Sequence, residues 1–296
     1  MEARHLMILR ELGDRGSVSA VATALHLTPS AVSQQLASLQ RGAAVPLTRL
    51  DGRVLVLTDA GNALAAAAVD VAAAMARASA AVDAHLTDPT VTVRVAAFHS
   101  AASAFFPGLL HAGATRIECA DEDVAQHAFP RLSANYDVVI AHRPVGSGKW
   151  PGTVTATRLL SEPLDVAVPA EHPLASKPQL RTAELAREQW IAVHDGFPLT
   201  AAIHAIGATA GSQLDVRHHI NDFTVAADLV AAGAGLALLP RYTGPRRRDV
   251  VLRPIADLHS AREIDVLTRP EQRVRAAVTT VIEELVSIAN FLKQNR

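Results

Sequence analysis

Residues 17–39, SVSAVATALHLTPSAVSQQLASL, constrain the fold most strongly, because they predict two short helices joined by a tight turn. Ser17 is a favourable N-cap for the first helix, and Thr28 is one for the second. Pro29 follows at the first helical position, where no amide hydrogen is needed. Apolar residues recur at helical spacing on one face of the pair: Val18, Val21, Ala22, Leu25, Val32, Leu36 and Leu39. This face needs a further element to cover it.

The opposite face of the second helix carries short or amide-bearing polar side chains near the helix N-terminus. A helix-turn-helix presents such groups to base edges in the major groove of DNA. We therefore predict DNA contacts from Thr28, Pro29, Ser30, Ala31, Ser33, Gln34 and Gln35. The alternative is an ordinary helical hairpin whose polar face is solvated, since helix-turn-helix look-alikes are common.

A β-hairpin follows the helix pair. Asp51 and Gly52 lie between two β-prone runs, which is a strong hairpin signal. Together with a first helix over about residues 2–12, ended by Gly13 and Gly16, the segment reads as a winged helix-turn-helix. Arg49 and Arg53 flank the tip of the predicted wing, where they can meet DNA phosphates.

A long helix is predicted over about residues 60–86, capped by Thr58 and Asp59. Apolar residues alternate along it at spacings of four and three: Leu64, Ala68, Val71, Met75, Ala78 and Val82. A single helix cannot bury such a heptad seam alone, so we predict a coiled-coil dimer. The alternative is a helix that lies on its own domain. Asp88 and Pro89 end the helix and form a linker.

Beyond the linker the pattern predicts an α/β region. Near-continuous apolar runs at residues 91–98, 136–141, 164–168, 190–193 and 235–239 are typical of buried parallel strands. A last helix, over about residues 271–293, has one apolar face and packs against a sheet.

Composition excludes several classes of protein. The formal net charge of -1 gives no global basic field, so any DNA contact must be local. Cys119 is the only cysteine, which excludes an intrachain disulfide and a cysteine-based zinc site. No apolar run approaches membrane-spanning length and the N-terminus does not fit a signal peptide, so we expect a cytoplasmic protein with no membrane partner. No nucleotide-binding loop, zinc-protease helix or nucleophile elbow is present, so we expect no enzymatic activity and no cofactor.

These motifs occur in one register that resembles the LysR-type transcriptional regulator family along essentially the whole chain. The matching segments are Gly16-Ser17, Val32 to Leu36, Val45-Pro46-Leu47, Leu57-Thr58 with Gly61, Glu162-Pro163-Leu164, His172-Pro173-Leu174, and Val230 to Gly233 with Leu238-Leu239-Pro240. The chain departs from the family at Gln34, where Arg is frequent, and at Gln40, where Glu is usual. A Gln in place of the frequent Arg favours adenine over guanine edges.

The resemblance implies an α+β multidomain protein: a winged helix-turn-helix at residues 1–58, a dimerising linker helix at 59–88, and a periplasmic-binding-protein-like effector domain at 89–296. It divides the effector domain into subdomain I, residues 91–161 and 267–296, and subdomain II, residues 162–266. It also implies a homodimer or homotetramer on double-stranded DNA, and two-fold symmetry then predicts an inverted-repeat promoter site.

An open sheet binds ligands beyond the carboxyl ends of its parallel strands, so we expect an effector there. The candidate effector-binding residues are His99, Ser100, Ser103, His142, Arg143, His194, Phe197, Thr200, Phe223 and Thr224, and Asp222 faces the same cleft. We expect a small anionic or zwitterionic effector held by Ser100, Arg143 and one or more histidines. A metal held by the histidines and Asp195 is a weaker alternative, because their spacing matches no ligand motif.

The sequence thus predicts a sequence-specific regulator that a small molecule controls. The alternative is an α/β small-molecule-binding protein whose N-terminal unit serves assembly only.

Overall fold

The computed structural model describes residues 1–83, 92–113, 115–194, 197 and 199–295. Its N-terminal unit is the predicted winged helix-turn-helix. The elements are α1 (Ala3–Arg15), α2 (Val18–Ala24), α3 (Pro29–Arg41), β1 (Thr48–Asp51) and β2 (Val54–Leu57). Ser17 accepts a hydrogen bond from the Ala20 amide at 3.1 Å, and Thr28 accepts one from the Ala31 amide at 3.1 Å. Both predicted N-caps are therefore confirmed.

The first helix is longer than the sequence indicated. It continues through Gly13 to Arg15, and Gly16 ends it in the left-handed conformation with φ of 75°. Gly13 does not end the helix. It allows the Leu57 side chain to pack closely, because a Cβ at Gly13 would lie 2.9 Å from Leu57 Cδ1.

The long helix α4 spans Asp59–Asp83, so the predicted end at residues 84–86 and the linker at 88–89 lie outside the described residues. Its predicted seam serves two purposes. Leu64, Ala68 and Val71 join the core of the winged unit, against α1. Met75 is 54% exposed and Ala78 is also exposed. The first half of α4 therefore lies on its own domain, as in the alternative to a coiled coil, while the second half keeps apolar surface for a partner.

One helix within the described residues, Asp59–Ala81, is long and apolar enough to cross a membrane by length and composition alone. The expectation that no run approaches this length was wrong. The many alanines of α4 raise its mean hydropathy although the helix contains no continuous run of large apolar residues. Ala65, Val69 and Ala72 of this helix are buried within the protein.

The remaining strands form one mixed sheet with helices on its faces. The strands are β3 (Thr92–Ala97), β4 (Arg116–Asp121), β5 (Val138–Pro144), β6 (Thr155–Pro169), β7 (Gln189–Ala192), β8 (Asp215–His219), β9 (Leu236–Pro240), β10 (Val250–Arg253) and β11 (Ala261–Thr268). Their order is β4-β3-β5-β11-β6-β9-β7-β8, with β10 paired to β6. The helices are α5 (His99–Ala112), α6 (Phe129–Leu132), α7 (Thr182–Leu185), α8 (Thr200–Ala210), α9 (Phe223–Ala231) and α10 (Ala276–Gln294).

The sequence predicted parallel strands, but the sheet is mixed. β3 runs parallel to β4 and β5, and β7 runs parallel to β8 and β9, but β11 is antiparallel to both β5 and β6. The long strand β6 pairs with β11 through its first half and with β9 through its second half. β6 therefore joins two α/β units, each with its own apolar core.

Candidate functional site

A cavity of about 310 Å³ lies between the two α/β units, at the carboxyl ends of the parallel strands. One wall comes from the β3–α5 junction, the end of β4 and β5, and the other from the segments after β7 and β8. Five of the predicted effector-binding residues line it: His99, Ser100, His142, Phe197 and Phe223. The position of the cavity agrees with the rule for open sheets. We call it the cleft.

A buried ion pair forms the floor of the cleft. Arg262 on β11 donates from Nε to Glu162 Oε2 at 2.9 Å, and these residues are 3% and 0% exposed. Arg262 Nη2 also donates to Ser100 Oγ at 2.9 Å and to Thr243 Oγ1 at 2.8 Å. Since Arg262 and Glu162 face each other in the β11–β6 register, the pair ties the two units together where they meet. Arg262 was not among the residues predicted from the sequence, because nothing local distinguishes it from other arginines.

His99 spans the mouth of the cleft. Its Nδ1 lies 2.8 Å from Asp121 Oδ2 at the end of β4, and its Nε2 lies 3.7 Å from Asp222 Oδ2 on the opposite wall. The hydrogen bond with Asp121 raises the pKa of His99, while burial opposes this effect. Hydrogen bonds from the Val225 and Thr224 amides lower the pKa of Asp222, which is the N-cap of α9. A protonated His99 can thus hold two carboxylates from opposite walls.

His142 lies inside β5, not after it, and is only 6% exposed. Its ring packs edge-on against Phe98 and Phe129, with centroid distances of 4.5 and 5.4 Å. Burial, and then the charge of Arg262, lower the pKa of His142 well below its usual value, so the ring is neutral. Its buried Nδ1 has no hydrogen-bond partner among the described residues.

Arg143 does not line the cleft. It follows His142 on the same strand, and consecutive side chains of a strand point to opposite faces. Its guanidinium binds Asp265 at 3.0 Å and Glu263 at 3.1 Å, donates to the Gly148 carbonyl and lies over the Trp150 ring. The predicted role of Arg143 in holding an anion is therefore not supported, because β5 runs on to Pro144 instead of ending at residue 141.

The other predicted effector residues lie around the cleft. Ser103 and Thr224 line an adjoining cavity of about 270 Å³ that also contacts His99, Ser100 and Phe223. Thr200 lines a separate cavity of about 530 Å³ between α8 and β8. His194 is exposed, and its ring contacts His219 at a centroid distance of 5.6 Å. Asp195 lies outside the described residues.

The histidines do not assemble into a metal centre in the part of the chain that the structure describes, where no group of three or more His, Cys, Asp or Glu side chains is arranged to hold an ion. The metal-sensing alternative therefore gains no support from the geometry.

The predicted DNA-reading side chains lie on the outward face of α3. Thr28, Pro29, Ser30, Ser33 and Gln34 are exposed, while Ala31 and Gln35 are half-buried. All three hydroxyls are already engaged locally. Thr28 caps the helix and shares a hydrogen bond of 2.9 Å with Ser30 Oγ, and Ser33 donates to the Pro29 carbonyl at 2.9 Å. Gln34 therefore offers the longest exposed polar side chain on this face.

The wing packs against α1 and α4 through β2, and its two arginines are exposed. Arg49 is 58% exposed and lies 3.7 Å from Asp51, and the Asp51-Gly52 turn closes the hairpin with Gly52 at φ of 61°. Gln40 fixes the approach to the wing, because its amide donates to the Val45 carbonyl at 2.9 Å and accepts from the Leu47 amide at 2.8 Å. A Glu, usual at this position in the resembled family, has no hydrogen for the first bond.

Comparison with known families decides the assignment. A family model described as "Bacterial regulatory helix-turn-helix protein, lysR family" matches residues 3–62, and one described as "LysR substrate binding domain" matches residues 87–289. The chain belongs to the LysR family of transcriptional regulators. It is a DNA-binding regulator with a C-terminal effector-binding domain, as the sequence predicted, and the helix-turn-helix match argues against an N-terminal unit that serves assembly only.

Individual LysR-type proteins agree with this assignment. The chain is 29% identical to the small neutral protease regulatory protein of Streptomyces coelicolor, over 90% of this chain and 86% of that one. It is 27% identical to the transcriptional dual regulator GltC of Bacillus subtilis, over 82% of each. The structure of a full-length OxyR variant from Pseudomonas aeruginosa shares the fold, with a TM-score of 0.69, 17% identity and coverage of 98% of this chain and 95% of that one.

Proposed function

We propose that the outward face of α3 reads a DNA major groove while Arg49 and Arg53 hold the adjoining phosphates. The carrying observation is that polar residues of α3 are exposed on the side opposite to the buried Val32, Leu36 and Leu39. The near-neutral net charge gives no global basic field, so the two exposed wing arginines supply a local positive charge for the phosphates.

According to this proposal, the protein is a homodimer or homotetramer whose subunits pair through α4. Two α3 helices then contact the two halves of an inverted repeat. The exposed Met75 and Ala78 on the second half of α4 support the pairing. In this proposal residues 1–58 form the DNA-binding domain, residues 59–88 the dimerising linker helix and residues 89–296 the effector domain.

The effector binds in the cleft and changes how far the two subdomains close. His99, Ser100, His142, Phe197 and Phe223 line it, and Ser103 and Thr224 lie in the adjoining cavity. Because β6 runs through both units and pairs with β11 at Glu162 and Arg262, a change in closure acts on this ion pair.

We propose further that the protein is a cytoplasmic regulator without catalytic activity. Ser100 is the obvious hydroxyl in the cleft, and its Oγ accepts from Arg262 and from Thr243. A serine nucleophile needs an adjacent base to take its proton, and an arginine cannot do so.

Footprinting on the DNA upstream of the gene tests the DNA assignment. We expect protection with dyad symmetry, and a dependence of affinity on salt concentration that becomes shallower by about one unit of log–log slope for Arg53→Ala. Arg187→Ala, an exposed arginine of subdomain II, is the control and leaves the slope unchanged. An unchanged slope for both Arg49→Ala and Arg53→Ala would remove the wing from the interface.

A further inference from the structure

The cleft is lined by more negative charge than positive. Asp121 at the end of β4, Asp123 just after it, and Asp222 at the N-terminus of α9 all line the cavity. Burial, and then the negative charge of Asp121, raise the pKa of Asp123, while the charges of His99 and Arg262 oppose this effect. The three carboxylates come from both walls, so they converge on one space instead of lying along a single exposed helix face.

The cleft offers no unpaired cation to balance them. Arg262 is the one Lys or Arg among its described lining residues, and Glu162 neutralises it at 2.9 Å while its Nη2 donates to Ser100 and Thr243. Arg143, which the sequence had suggested as an anion-binding group, points to the other face of β5 and binds Asp265. Among the described lining residues, a carboxylate effector would therefore meet three carboxylates, with His99 and the already paired Arg262 as the cationic side chains.

Buried polar atoms without partners mark the same region as a binding site. His142 is more than nine-tenths buried, its ring lines the cleft, and its Nδ1 has no partner among the described residues. A cavity of about 180 Å³ adjoins the cleft through His142, Leu199 and Arg262, and there the buried Ser260 Oγ is also unpaired. Unsatisfied buried groups are rare in native proteins, and a polar group of a bound ligand would give these two atoms a partner.

The rest of the lining is apolar and aromatic. Val193, Leu199, Phe197 and Phe223 form the wall contributed by subdomain II. Aromatic faces attract cations as well as apolar groups. A volume of about 310 Å³ lies at the small end of the range for ligand pockets.

We propose that the cleft recognises a small organic cation, an ammonium or amidinium group on an apolar body, and discriminates against carboxylates. The cationic group lies among Asp121, Asp123 and Asp222, where it takes over the bridge that His99 now makes between the two walls. The apolar body packs on Phe197, Phe223 and Leu199. This proposal rests on the assignment of the cleft as the effector site.

Isothermal titration of the full-length protein with three ligands of similar size tests the charge preference. Benzylamine is the cation, benzoate the anion and benzyl alcohol the neutral analogue, all at one pH and matched ionic strength. We expect saturable binding of benzylamine at least about tenfold tighter than that of the other two, because a charge among three carboxylates gains more than about 1.4 kcal/mol.

Two charge-neutralising variants locate the site. Asp121→Asn and Asp222→Asn are each expected to weaken benzylamine binding by about tenfold or more. Asn caps a helix as well as Asp does, so Asp222→Asn preserves the start of α9. Glu118→Gln is the matched control, because Glu118 lies on the same strand as Asp121 but does not line the cleft.

Tighter binding of benzoate, the absence of benzylamine binding, or benzylamine affinity that is unchanged in both Asn variants would each overturn the proposal. DNA binding is measured separately on the same preparations. Loss of amine selectivity with intact footprinting contradicts only the ligand class, whereas absence of any footprint contradicts the proposed function itself.

Discussion

At the scale of single residues, the cleft depends on the pairing of Arg262 with Glu162. Both side chains are buried, and the carboxylate also accepts hydrogen bonds from the Tyr242 and Thr243 amides at 2.8 and 2.5 Å. Burying a charge is costly unless it is paired, so each member of the pair depends on the other.

Replacement of Arg262 tests this dependence. Arg262→Met leaves Glu162 buried without its cation, and we expect the free energy of unfolding to fall by about 3–5 kcal/mol in urea titrations. The double variant Glu162→Gln with Arg262→Met is expected to recover a large part of this loss, because no unpaired charge remains. A double variant as unstable as the single one would show that packing, not charge, dominates at this position.

His99 makes the stability of the cleft depend on pH. Its pKa is raised in the folded state, mainly by the hydrogen bond with Asp121, and Asp222, Asp123 and Arg262 are the other charged groups around it. The stabilisation is complete below the unfolded pKa of about 6.5 and is lost as pH rises through the higher folded pKa. We measure the difference in melting temperature between wild type and His99→Gln, and we expect this difference to decline as pH rises across this interval. A constant difference from about pH 6 to 9 would contradict the bridge.

At the scale of elements, the winged unit could be predicted closely because its signals are local. Caps, an Asp-Gly turn and helical periodicity each act within a few residues, so α2, α3 and the hairpin follow from the sequence. β6 and β11 could not be predicted in this way, because their pairing joins segments that are far apart in the chain. Missing the full length of β5 also placed Arg143 on the wrong face.

The structure explains why a glycine, Gly61, stands at the start of α4. A Cβ on Gly61 would lie 2.0 Å from the Leu47 carbonyl oxygen, so the helix can begin against the wing only with glycine there. The sequence identified this glycine by resemblance and offered no cause for it.

The face of α3 carries a prediction about sequence preference. Gln34 is exposed, and in our proposal it makes a bidentate contact with adenine. Gln34→Arg should therefore shift the preferred base at one position of each half-site from adenine to guanine. We expect a discrimination of about 1–3 kcal/mol in competition binding with paired duplexes. Gln213→Arg, on an exposed loop of subdomain II, is the control for added charge. Unaltered base preference in Gln34→Arg would exclude Gln34 from the base edge.

At the scale of the whole molecule, charged residues join the winged unit to the effector domain. Arg269, directly after β11, binds Glu11 and Asp14 of α1 at 2.5 Å each, and Arg10 binds Glu271 at 2.8 Å. Burial alone would raise the pKa of Glu11, but the charge and hydrogen bond of Arg269 lower it below its usual value. Arg262 at the cleft lies near the start of β11, and Arg269 at this junction directly follows its end.

Removal of Arg269 is expected to loosen this junction. Arg269→Ala leaves Glu11 and Asp14 without their shared cation, so small-angle X-ray scattering should report a larger radius of gyration than for wild type. Arg187→Ala is the control, because it is an exposed arginine away from the junction. An unchanged radius of gyration for Arg269→Ala would show that these ion pairs do not hold the winged unit in place.

Selection from a pool of randomised duplexes tests the central claim most directly, because neither the target site nor the effector has to be identified beforehand. Full-length protein is bound to the pool, and recovered duplexes are sequenced after several rounds, with wild type compared to Gln34→Ala. We predict enrichment of an inverted repeat by wild type and a weaker preference at one base of each half-site for the variant. Recovery of sequences with no common motif, or of a motif without dyad symmetry, would contradict the claim.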